Sequence, residues 1–287
     1  MRVYVVVDLE GISGITAGSM IRTGSADWAS RGRHIATDEV NAVVEGLAAA
    51  GAETVWVCDS HDAGENLIRE SLHPLAELIT GATNVTPMLP GLDGSFDALY
   101  VIGFHARMGT LRGHFDHTVT TAAVSELRLN GRAVGEIGLH AAYAGSHGVP
   151  IGMVTGDEAA VAEARELLGD VPAVSVKSGI GRFAARVPHS ENVRPAIRAT
   201  AQTAVARPAP VWFPGSPLKA SMDFLRSAEA DAATFVPGAV RAGARTVEFE
   251  HEDPAMTFKA IQAMIKLGNG AAGKWAQALY GSGTRTS

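Results

Sequence analysis

MRVYVVVDLEGISG, residues 1–14, sets an oily β-branched run against two carboxylates. The run from Val3 to Val7 stops at Asp8, with Leu9, Glu10 and Gly11 following. A short continuous apolar stretch closed by a glycine predicts a buried strand, in a parallel sheet covered on both faces. Side chains alternate along a strand, so Asp8 and Glu10 point the same way. Two neighbouring carboxylates repel each other. They need a cation, or one must hold a proton, or both merely cap the strand in water. The rest of the chain has to decide.

Working outward, GISGITAGSM reads as a loop and residues 31–50 as a helix, with Val40, Val43, Val44 and Leu47 at helical spacing and Gly51 at its end. TVWVCDSH is the second strand, residues 67–79 a second helix and DALYVIGFH the third strand. TVTTAAVSELRLNGRAVG reads as strands around a tight Asn130-Gly131 turn. A helix over 136–146, the strand VPIGMVTGD, a helix in DEAAVAEARELLG and the strand PAVSVKSGI complete an alternating pattern. That alternation predicts an α/β fold, a mostly parallel sheet with flanking helices. From about residue 190 the style changes: a helix over 192–207, a strand at PVWF, a helix over 220–232, the strand RTVEFE and a helix over 253–266. The expected organisation is a larger α/β domain over 1–189, a smaller, interface-forming α+β unit over 190–280 and a flexible tail over 281–287.

Composition narrows the class of function. The chain is 46% hydrophobic and 19% charged with a net charge of −6, so nothing suggests a basic nucleic-acid groove or a membrane-binding face. Cys58 is the one cysteine, which excludes an internal disulfide and suits a reducing, cytoplasmic setting. No apolar run approaches the roughly 20 residues needed to cross a bilayer.

The opening carboxylates now acquire neighbours. The first strand ends in Asp8 and Glu10, the second in Asp59-Ser60-His61, the third in His105. If these strands lie side by side, two carboxylates and two imidazoles meet at the carboxyl edge of the sheet, where such folds bind ligands. Mixed oxygen and nitrogen donors suit zinc, and also manganese or iron. Glu136 starts the helix after the Asn-Gly turn, and His114 and His117 lie in GHFDHT. Asp59, Asp62 and Asp116 compete as carboxylates. His140 stands one helical turn after Glu136 and reads as structural, whereas His34, His73, His147, His189 and His251 read as solvated or structural.

These segments together resemble the zinc-dependent D-aminopeptidases of the bacterial dipeptide-operon type. The resemblance rests on VDLEGISG, CDSHDAGENL, GFHARMGT, DHT, GEIGLHAAYAGSHGVPIGMVTGDE, VKSGIGRFAA and the C-terminal PVWF and PGAVRAGARTVEF, and so covers most of the chain. It implies two zinc ions held by Asp8, Glu10, His61, His105 and Glu136, with His117 as a further active-site residue. It also implies a homodecamer of stacked rings that admits short peptides with N-terminal D-residues. The sequence departs from the family pattern at Asp62 and His140, which leaves that ligand set intact.

On this reading, five ligands leave open positions on two zinc ions, so a bound water serves as nucleophile with Asp8 as the bridging carboxylate. Three rivals stand beside it. An aspartyl phosphatase using magnesium fits less well, because the second acid is Glu10 and two histidines favour zinc. A related amidohydrolase acting on a non-peptide amide would use the same site. A non-catalytic metal- or peptide-binding module would keep the metal and lose the chemistry. GISGITAG lacks the lysine of a phosphate-binding loop.

Overall fold

The computed structural model describes residues 1–81 and 88–280. The tail expected over 281–287 lies outside the described residues. In chain order the strands are β1 (Arg2–Val7), β2 (Thr54–Asp59), β3 (Ala76–Ile79), β4 (Ala98–Phe104), β5 (Val124–Leu129), β6 (Arg132–Val134), β7 (Ile151–Asp157), β8 (Ala173–Gly181), β9 (Ala184–Arg186), β10 (Leu218–Phe224), β11 (Val240–Arg241) and β12 (Thr246–His251). The helices are α1 (Arg33–Ala49), α2 (Glu136–Ser146), α3 (Glu158–Leu168), α4 (Ser190–Ala204), α5 (Ser227–Ala233) and α6 (Pro254–Tyr280). No helix among the described residues is long and apolar enough to cross a membrane.

The chain forms two compact units. The first comprises Met1–Asp116 and Glu136–Phe213, the second His117–Gly135 and the chain from Pro214. The first holds a seven-stranded sheet in the order β3-β2-β1-β4-β7-β8-β9, parallel except for the terminal β8–β9 pair. The chain runs from β1 outward through β2 to β3, then returns to the other side of β1 as β4. The strand order therefore reverses beside β1, the position where open α/β sheets leave a crevice at their carboxyl ends. Val7 pairs with Asp59 on one side and Ile102 on the other, so the ends of β2, β1 and β4 lie level.

The apolar opening run is explained by two layers. Val3, Val5 and Val7 pack with Val40, Val43, Val44 and Leu47 of α1 and with Val193 and Ile197 of α4. Tyr4 and Val6 face the opposite way, into a core shared with Ile137 and Ala141 of α2 and Ala160 and Leu168 of α3. A strand buried on both faces has no polar position to spare until it ends.

The second unit is an antiparallel sheet in the order β11-β12-β10-β5-β6, with α5 and α6. Asn130 and Gly131 both adopt positive φ, 47° and 82°, as a two-residue hairpin turn requires.

The structure departs from the sequence reading in four places. Residues 67–79 form no helix: Pro74 interrupts the pattern, leaving a 3₁₀ turn at Arg69–Ser71 and the edge strand β3. PVWF at 210–213 is irregular rather than a strand. Over 218–224 the buried positions are Leu218, Ala220, Met222 and Phe224, a period of two, so the segment is β10 and the helix begins only at Ser227. The division also differs from a boundary at 190: α4 packs in the core of the first unit, and the Asn-Gly hairpin belongs to the second.

Candidate functional site

Asp8 and Glu10 follow β1 where its backbone runs very close to β4. Asp8 N donates to Ile102 O at 2.9 Å and Gly11 N to Gly103 O at 2.7 Å. Two glycines permit this approach. Gly103 has φ +75°, and a Cβ there would fall 2.3 Å from Asp8 O; a Cβ on Gly11 would fall 1.8 Å from Phe104 O. His105 comes next in the chain after β4 and is fully buried at its side chain.

His61 stands on the loop after β2. Asp59, buried at the end of that strand, accepts from Asn66 N at 2.5 Å, Leu67 N at 2.9 Å and Asn66 Nδ2 at 2.8 Å. Asn66 Nδ2 also reaches His61 O at 2.8 Å, so this carboxylate shapes the loop. Glu136, the first residue of α2, supplies the third carboxylate.

The four residues expected at the strand ends, and Glu136 at the start of α2, come together within the first unit. Asp8 lies between the two imidazoles: Oδ1 is 3.0 Å from His61 Nδ1, and Oδ2 is 3.4 Å from His105 Nε2. Glu10 Oε2 is 2.9 Å from His61 Nδ1, and Glu136 Oε1 is 3.1 Å from His105 Nε2. Each imidazole thus has two carboxylates, and Asp8 is common to both.

The far nitrogen of each ring decides the tautomer. His61 Nε2 lies 3.0 Å from Ile21 O and His105 Nδ1 lies 3.0 Å from Ala106 O. A carbonyl only accepts, so each of these nitrogens carries a hydrogen. The lone pair of each neutral ring then points at carboxylate oxygens that are themselves acceptors. Such an arrangement is satisfied only by a cation, either an added proton or a metal ion. A backbone carbonyl on the outer N–H is also the usual support of a metal-ligating histidine. The donor set fits a metal: ligand atoms of Asp8, Glu10 and His105 lie within 4.8 Å of one another.

The same contacts shift the titration of the cluster. Burial pushes the His61 pKa down, but Glu10 and Asp8 outweigh it and hold it well above the ordinary imidazole value. Burial lowers His105 too, and Glu136 and Asp8 again reverse the sign. Burial raises Asp8, yet His105 and His61 hold it well below the usual carboxylate range.

The competing acids have other employment. Asp59 shapes the His61 loop, Asp62 accepts from Thr23 Oγ1 at 2.9 Å, and Asp116 accepts from Gly109 N at 2.6 Å. His114 is fully buried, with its backbone N bonded to Asp157 Oδ2 at 2.7 Å and its pKa lowered by burial to about 4. His140 Nδ1 donates to Glu136 O at 2.8 Å, which braces the first turn of α2. His117 is the first residue of the second unit, directly after Asp116. Two residues beyond it, Val119 has φ 62° at the centre of a three-residue turn closed by Thr120 N donating to Thr118 O at 2.7 Å. Left-handed φ in a β-branched residue is strained.

Sequence reasoning missed two buried charges beside the carboxylates, Lys177 on β8 and Glu39 on α1. Lys177 is 1% exposed, and burial lowers its pKa to about 8. Glu39 Oε2 accepts from Ser13 N at 2.9 Å, and burial raises its pKa. The available signal was a lysine inside the apolar strand pattern PAVSVKSGI.

Comparison with known proteins gives the family. A family model described as D-aminopeptidase matches residues 1–263. A D-aminopeptidase of Bacillus subtilis (strain 168) is 34% identical over 273 residues, 93% of this chain and 97% of the relative. A solved structure from Bacillus subtilis, the Zn-dependent D-aminopeptidase DppA, a self-compartmentalizing protease, superposes with a TM-score of 0.89 at 33% identity, covering 93% of this chain and 98% of that one. The chain that opens with an apolar strand and two carboxylates belongs to the D-aminopeptidase family.

Proposed function

We propose that this D-aminopeptidase hydrolyses short peptides bearing N-terminal D-residues at a centre of two zinc ions per subunit. The observation that carries the reading is the shared Asp8: one carboxylate oxygen faces His61 and the other His105. Asp8, Glu10, His61, His105 and Glu136 would hold the ions: Asp8 is common to both imidazoles, Glu10 stands with His61 and Glu136 with His105. Zinc held there supplies a water of lowered pKa as nucleophile and a Lewis acid for the scissile carbonyl.

The remaining work falls to the chain. Five ligands leave positions open for water and substrate. A carboxylate of the centre accepts from the free α-amino group of the peptide. His117, assigned by the resemblance, stabilises the oxyanion of the tetrahedral intermediate or passes a proton to the leaving amine. The protein works in the cytoplasm as a homodecamer of stacked rings. Two findings support the assembly: the relative is self-compartmentalizing, and Ile180 and Phe183, both on the β8–β9 hairpin, are 72% and 74% exposed.

The test is cleavage of D-Ala-D-Ala and L-Ala-L-Ala by protein of assayed zinc content, before and after chelation. Zinc-dependent cleavage with a D preference is the expected result. Cleavage of the L-peptide alone discards the stereochemistry. Bound zinc with no cleavage of either transfers the assignment to a non-peptide amide or to a binding role.

A further inference from the structure

We infer that Lys177 is a positioning residue for the Glu10–His61 half of the centre, clamping the backbone that carries Glu10. The inference rests on the two-ion reading above. After β1 the chain enters residues 8–17, which form neither helix nor strand. Its carbonyls join no helix or strand ladder; Ile12 O accepts one long turn bond from Ile15 N at 3.3 Å, and buried carbonyls need partners. Lys177 Nζ supplies three bonds from one atom: to Glu10 O at 2.5 Å, Ile15 O at 2.7 Å and Ile12 O at 3.0 Å. An ammonium has three N–H groups, and all three are used within this one loop.

The opposite charge holds the same loop from another element. Glu39 accepts from Ser13 N, between two of the clamped carbonyls. Gly11 N is meanwhile tied to Gly103 O. Glu10 thus has its own carbonyl fixed by Lys177 and the next amide fixed by β4, which sets where its side chain starts, and its carboxylate Oε2 lies 2.9 Å from His61 Nδ1. A buried lysine is an expensive way to fill space, since an apolar side chain would pack without desolvating a charge. The expense is explained if the loop must hold one shape. The other half of the centre has no such need. Glu136 is fixed by the first turn of α2, and no atom of Lys177 bonds to it.

The prediction is therefore asymmetric. Support residues behind a metal ligand change affinity by about 10–100-fold when removed. Wild-type protein, Lys177→Met and Lys177→Gln are stripped and titrated with zinc alone against a chromophoric chelator, with thermal unfolding followed in parallel. Wild type is expected to bind two equivalents. In Lys177→Met one equivalent keeps its affinity and the other weakens by about 10–100-fold. Lys177→Gln, which restores two N–H donors without charge, falls between them. Two unchanged equivalents in Lys177→Met overturn the inference, and so does equal weakening of both, which marks general loosening of the fold. If Lys177→Met does not fold, Lys177→Gln is judged by the same criteria. A wild-type protein that binds no zinc overturns the metal-centre reading itself, a result distinct from any difference between variants.

Discussion

On one side of Asp8, His105 leaves the end of β4 and faces Glu136 at the start of a helix. On the other side, His61 and Glu10 both stand on loops. The first pair is anchored in regular structure, and its imidazole is 0% exposed at the side chain, against 13% for His61. The loop pair depends on buried polar groups instead: Asp59 behind His61, Lys177 and Glu39 behind Glu10. Chemically similar halves are thus held differently, by residues at the ends of regular elements in one and by buried polar groups behind loops in the other. Damage to the two should differ in kind.

The largest effect is expected where the halves meet. Asp8→Asn removes the carboxylate both share, and should abolish metal binding and peptide cleavage together. In chelated protein, loss of this buried partner should cost about 3–5 kcal/mol by urea unfolding. Full activity with zinc retained would break the shared role of Asp8.

Next come one substitution for each half. Gly103→Ala drives a Cβ into Asp8 O at a left-handed φ, and should destabilise the fold by about 2–4 kcal/mol. Asp59→Ala strands the donors of Asn66 and Leu67, but a loop can open to water. Its cost should be smaller, about 1–3 kcal/mol, while zinc affinity drops selectively in one equivalent. Calorimetry with metal titration separates the two, and equal effects would erase the contrast.

A smaller effect concerns pH in chelated protein. The raised pKa values of His61 and His105 make their contribution to stability complete below the ordinary imidazole value and lost as pH rises through the folded values. The lowered Asp8 contributes above the ordinary carboxylate value and loses its share as pH falls through its folded value. Between about pH 4 and 6.5 both contributions are complete, so the chelated protein should be most favoured by this cluster there. Denaturation midpoints across pH, compared with Asp8→Asn, test it; parallel curves would contradict it.

The smallest change in stability is expected at Val119. Glycine relieves the strained turn but adds unfolded-state freedom, so Val119→Gly should shift stability by less than about 1 kcal/mol. If His117 acts in turnover, kcat should fall several-fold at unchanged KM. An unchanged kcat would separate the turn from catalysis.

Much of this was legible in the chain. The run before Asp8 announced a doubly covered strand, and the acids and histidines at three strand ends announced their own meeting place. What stayed hidden was long-range. Lys177 serves carbonyls more than 160 residues away, and no local pattern records such a partner. β10 was read as helix because Ala220 and Met222 suit either element, and only pairing with β5 and β12 selects the strand. The hairpin around Asn130 was seen correctly, but its sheet was not, because the strand it joins begins at Leu218.

The carbonyls of Ile21 and Ala106 have one further consequence, and it is kinetic. They hold the outer N–H of each ring in place whether or not the inner nitrogen carries a proton, so neither imidazole would have to turn over to meet an ion. Loading a stripped protein is then exchange of protons for metal in a finished cradle, without a refolding step. Uptake should show no concentration-independent refolding phase, and chelation followed by resupply should be a reversible cycle rather than a route to denaturation.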